Sequence, residues 1–118
     1  MKIISQKQFA TWLGVILLVV GLLGLFMGEG DLLGLFSVNS AHTWVHVLSG
    51  VIGLLAGLTA AGAYAGTYNK IFGIVYLLVG VLGLFGVGFL VDMLALNTAD
   101  NVLHLVIGIV AAWVGFKA

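Results

Sequence analysis

The sequence predicts an all-α integral membrane protein: a four-transmembrane-helix bundle, built by tandem duplication of a two-helix unit, with both termini cytoplasmic. Three observations predict it. Hydrophobic residues make up 63% of the 118 residues and charged residues only 7%, with a mean hydropathy of +1.30. A water-soluble domain carries roughly a quarter of its residues as charges, so this chain has lipid as its solvent. Four apolar runs, 9–27, 43–63, 71–91 and 99–116, each approach the ~20 residues that a helix needs to cross a bilayer. The third observation is internal repetition. The run from Gly14 to Phe26 reappears from Gly73 to Phe85, and Asn39, Ala41, His46, Gly50 and Gly57 recur as Asn97, Ala99, His104, Gly108 and Gly115.

The chain reads as one membrane domain, 1–118, with a first repeat at about 9–63 and a second at about 71–116. Runs of this length are too long for strands, and in lipid each segment must satisfy its own backbone polar groups, which selects helices. The first run follows Lys2 and Lys7 in the manner of a signal peptide. It has no small-x-small cleavage site and its counterpart is internal, so it is expected to be retained. The loop from Gly28 to Ala41 contains Leu32-Leu33-Gly34-Leu35-Phe36, apolar enough to lie along the membrane surface. With two helices per repeat, both halves share one orientation, related by a pseudo-two-fold axis along the membrane normal.

Charge sets the expected orientation. Lys2, Lys7, Lys70 and Lys117 fall on one side of four crossings, and Glu29, Asp31, Asp92 and Asp100 on the other. The positive-inside rule then gives a multi-pass protein of the inner (plasma) membrane. Trp12, Tyr64, Tyr68 and Trp113 are expected at the inner interface and Trp44 at the outer one. The absence of Cys excludes disulfides and thiolate sites, and the absence of a basic patch excludes a nucleic-acid partner.

Each helix carries two glycines seven residues apart: Gly14/Gly21, Gly50/Gly57, Gly73/Gly80 and Gly108/Gly115. Such pairs form smooth grooves suited to close helix approach in lipid. Helical counting puts Asn39, His42, His46, Gly50, Gly53 and Gly57 on one stripe, and Asn97, Asp100, His104, Gly108, Ala111 and Gly115 on its counterpart. The polar groups therefore share the packing face, with Ser40 and Thr98 expected as N-caps. Ionisable groups at that depth are costly and mark a candidate site.

His42, His46, Asp100 and His104 offer imidazole and carboxylate ligands to zinc or another divalent metal. His46 and His104 alone can serve as axial ligands to a tetrapyrrole, although no Arg is present for its propionates. The same groups can instead satisfy one another and Asn39, Asn97, Asn101 and Ser49, pinning helix register without any cofactor. Below Ser49 the inner half offers little beyond Thr59 and Tyr76, which disfavours a polar transport path. No nucleophile–base motif is present, so no enzymatic activity is expected.

The segment Asn97-Thr98-Ala99-Asp100-Asn101-Val102-Leu103-His104-Leu105, with Gly73-x-x-Tyr76-x-x-x-Gly80-x-x-Gly83, resembles a widespread family of small bacterial four-helix membrane proteins of unknown function. The first half departs from that signature, with His42 and Thr43 where Asp100 and Asn101 stand. The resemblance implies a four-helix inner-membrane protein and carries no activity. The expected role is a structural or accessory subunit of a larger membrane assembly or a homo-oligomer, surrounded by lipid and without a cofactor. A metal- or tetrapyrrole-binding module and a small-solute transporter are the alternatives.

Overall fold

The computed structural model describes residues 4–27, 30–32 and 36–117. Four helices are long and apolar enough to cross a membrane: α1 (Gln6–Met27), α2 (Ser40–Leu58), α3 (Ala65–Leu84) and α5 (Thr98–Lys117). At ~1.5 Å per residue their 19 to 22 residues span about 28–33 Å, the thickness of a hydrocarbon core. Large apolar side chains such as Ile16, Leu48 and Val106 stand more than half exposed along their outer faces, as a lipid solvent requires. Between these helices lie a small antiparallel ribbon, β1 (Gly30–Leu32) with β2 (Phe36–Val38), a 3₁₀ turn at Ala60–Gly62, and a short helix α4 (Gly88–Leu94).

Two hairpins make the bundle. α1 packs along α2 and α3 along α5, while the seam between the hairpins is looser and formed chiefly by α1 against α3. The tight contacts fall on glycine. A Cβ built on Gly14 would stand 2.7 Å from the Leu54 amide nitrogen, and one on Gly50 would meet the Leu18 backbone. In the second hairpin Gly73 meets Ala112 and Gly108 meets Leu77, the equivalents by sequence. Gly24 faces Thr43 as Gly83 faces Asn101. The buried residues of α2 include His42, His46, Gly50, Gly53 and Gly57, and those of α5 include Asp100, His104, Gly108, Ala111 and Gly115, so within the helices the faces expected from helical counting are the faces observed.

Two helices end earlier than their apolar runs. α2 stops at Leu58 rather than near residue 63, because Ala60, Ala61 and Gly62 all take positive φ. α3 stops at Leu84 rather than near residue 91. There Gly86, at φ +71°, closes a Schellman cap in which Gly86 N donates to Gly83 O and Val87 N to Leu82 O. The chain then turns into α4, which ends on Ala95 in the left-handed conformation at φ 52°. α4 buries Leu90 and Leu94 with Leu96 against Val79 and Val87, and so covers one end of the bundle.

Residues 33–35 of the expected surface-lying loop lie outside the described residues. Its flanks pair as the ribbon, with Gly30 opposite Val38 and Leu32 opposite Phe36. Val38 is buried, which seats the ribbon on the bundle.

The other end of the bundle is tied by amides. Asn69, fully buried, donates through Nδ2 to the backbone oxygen and Oε1 of Gln6 at 3.0 and 2.9 Å. Gln6 Nε2 donates in turn to Val114 O at 2.8 Å, so α1, α3 and α5 are stitched together. Tyr68 does not mark an interface. Its ring stacks on Phe72, it is 4% exposed, and its hydroxyl donates to Ser49 O at 2.8 Å across to α2. Trp12, Tyr64, Trp113 and Trp44 are each at least half exposed, in positions open to the membrane surroundings.

Candidate metal centre

The two polar stripes begin at capped helix ends. Asn39 caps α2, its side chain accepting from His42 N at 2.9 Å, and its Nδ2 donates to Met93 O at 2.8 Å, which fastens α4 to the start of α2. At α5 the cap is reciprocal. Asn97 Oδ1 accepts from Asp100 N at 2.8 Å, and Asp100 Oδ2 accepts from Asn97 N at 2.9 Å, a capping box. The caps are therefore Asn39 and Asn97, not Ser40 and Thr98. Each amide side chain reaches forward over the first turn to the backbone N–H three residues on.

The capping box gives the position shared by His42 and Asp100 two different uses. In α5 the carboxylate turns back to its own helix start. In α2 the equivalent imidazole crosses the seam, and His42 Nε2 lies 3.3 Å from His104 Nε2. His46 completes the group, its ring centroid 4.5 Å from His42 and 6.1 Å from His104. All three histidines of the chain thus converge, with one potential ligand nitrogen from each lying within 4.8 Å of the others. Asp100 is not among the groups that meet there, although it is buried one helical turn before His104.

Each imidazole is at most 4% exposed. His46 and His104 lie at the seventh position of their helices, about 9 Å along the axis from the helix start. His46 Nδ1 and His104 Nδ1 have no hydrogen-bond partner, an expensive arrangement for buried polar atoms. Two imidazole nitrogens bound to one tetrahedral zinc at ~2.05 Å stand about 3.3 Å apart, so the His42–His104 pair is already at ligand spacing. The third nitrogen has to move inward by about 1.5 Å at most.

A cavity of about 120 Å³ adjoins the cluster. His42, His104, Ser49 and Tyr76 face it, and Leu94 of α4 forms part of its apolar wall. Tyr76 is a site residue that the sequence reading assigned to the inner half. It is buried, with its ring centroid 5.5 Å from that of His104. The signal was present: Tyr76 lies on the same helical stripe as Gly73, Gly80 and Gly83, which is the face turned to α5. Glu29 lies outside the described residues, and the side chain of Asp31 is likewise undescribed.

No curated protein and no solved structure matches the chain. A family model does, over residues 7–117, nearly the whole length of the bundle and both polar stripes. By that match the chain belongs to the family described as Domain of unknown function (DUF4383).

Proposed function

We propose that this protein is a small membrane-embedded metal-binding module that holds one divalent first-row ion on His42, His46 and His104. The observation that carries the reading is the convergence of all three buried histidines, with one ligand nitrogen from each lying within 4.8 Å of the others and His42 Nε2 3.3 Å from His104 Nε2. Imidazole donors without any thiolate suit zinc, copper or nickel. The geometry favours an ion over a tetrapyrrole. His42 sits with its centroid 4.5 and 5.2 Å from the two histidines expected as axial ligands, leaving no slot for a macrocycle between them.

We place the protein in the inner membrane with cytoplasmic termini, on the support of the lysine distribution, so that the centre lies near the outer face. The matching glycine contacts of the two hairpins support tandem duplication as their origin. On that view the position shared by His42 and Asp100 serves as a ligand in the first repeat and as a capping acid in the second.

One observation favours the structural role in an accessory subunit. A separation of 3.3 Å between His42 Nε2 and His104 Nε2 is also what one neutral imidazole donating to another would give, pinning the seam without an ion. Zinc titration of metal-stripped protein in detergent separates the two. The metal reading expects one ion per chain and a loss of affinity beyond ~100-fold in His46→Ala, more than an outer-shell partner costs. Absence of saturable binding would leave the histidines as a register clamp.

A further inference from the structure

We infer that the ion keeps a fourth coordination position open to the adjoining cavity, and that a small monoanion occupies it. The inference rests on the metal reading and adds a ligand class to it. Zinc and its neighbours take at least four ligands, and three protein ligands plus one exchangeable ligand is the arrangement of sites that bind something besides the metal. Only three protein donors converge among the described residues. His42 and His104 line the cavity and His46 does not, so an ion held by all three would lie beside that space, which is the adjoining volume that an exchangeable ligand could fill.

Charge decides what enters. Three neutral imidazoles leave the ion's two positive charges uncompensated, and Asp100 is the one acid among the buried described residues. One carboxylate against two charges leaves one in excess, which a low-dielectric site deep in a bundle tolerates poorly. A singly charged anion closes the balance. Ser49 and Tyr76 are the hydroxyl-bearing residues among those that line this largely apolar cavity, and so the side chains available to donate to the anion. At about 120 Å³ the space admits a few heavy atoms, such as hydroxide, azide or a short carboxylate, and excludes a lipid headgroup.

The test uses the full chain loaded with cobalt(II), with azide as the probe and the visible absorption bands of the ion as the readout. Wild type should show four-coordinate bands that azide shifts saturably. Tyr76→Phe should retain the cobalt bands and bind azide roughly tenfold more weakly, the loss of one hydrogen bond to an ion. Val79→Phe, which fills the cavity from α3, should retain the cobalt bands and lose the azide response. Cobalt bands unmoved by azide in wild type would overturn the inference and leave the metal centre standing. An undiminished azide response in Val79→Phe would overturn the cavity as its route. Failure of wild type to take up cobalt would remove the metal reading and this inference together.

Discussion

Glycine at the hairpin contacts can be tested by three substitutions that separate space from backbone conformation. At Gly14 a Cβ would stand 2.7 Å from Leu54 N and 2.9 Å from Gly50 O, both backbone atoms. Ordinary contact begins at 3.4 Å, so α1 and α2 must part by 3.4 − 2.7, about 0.7 Å, since no flexible side chain can yield. Overpacking of this kind costs about 1–3 kcal/mol, against roughly 1 kcal/mol gained from the helix preference of alanine. Gly14→Ala should therefore be destabilised by up to about 2 kcal/mol, the difference between those terms. Gly86 has nothing within 4 Å of its Cβ position but sits at φ +71°, so Gly86→Ala should lose about 1–2 kcal/mol through backbone strain alone. Gly88 has neither obstacle, and Gly88→Ala should gain up to ~1 kcal/mol. Equilibrium unfolding in mixed micelles, followed by circular dichroism, ranks the three against wild type. A Gly14→Ala protein as stable as Gly88→Ala would refute the steric argument.

Other expectations follow from the polar contacts. Asn97→Ala removes the acceptor for Asp100 N and should cost about 1 kcal/mol in the same unfolding assay, with hydrogen exchange rising first at the start of α5. Gln6→Ala keeps the backbone acceptor but removes the Oε1 acceptor of the buried Asn69 amide and the donor to Val114 O, and should cost about 1–3 kcal/mol while leaving zinc affinity unchanged at the far end of the bundle. Ala95→Gly relieves the left-handed residue that ends α4 and should stabilise the protein by about 1 kcal/mol, read as a higher unfolding midpoint.

How much of this was legible beforehand varies with the kind of force involved. The four spans follow from length and apolar content, because lipid allows few other arrangements of the backbone. Helix ends were harder. Gly86 stops α3, yet it is one of 18 glycines, and most of the other described helical glycines sit at contacts rather than caps. Ala60, Ala61 and Ala95 take left-handed conformations that nothing in a good helix former announces.

The candidate site divides in the same way. Helical counting put His46 and His104 on the packing face, a property of single helices. That His42 rather than Asp100 joins them depends on the seam between hairpins and on the capping box, both tertiary or local details. The Asn97-x-x-Asp100 spacing did contain the capping signature, and it would have diverted Asp100 from the ligand set. Tyr68 and Tyr76 looked like interfacial or inner residues because tyrosine suits both the core and the headgroup level. Their buried partners decide between the two.

The most direct measurement on the metal centre is X-ray absorption at the zinc edge of protein reconstituted with one equivalent of zinc in detergent. A three-histidine centre gives three nitrogen scatterers at ~2.0–2.1 Å with the outer-shell pattern of imidazole, plus one light, exchangeable ligand. A spectrum of loosely held zinc surrounded by oxygen alone, unchanged when His42, His46 and His104 are replaced together by alanine, would contradict it.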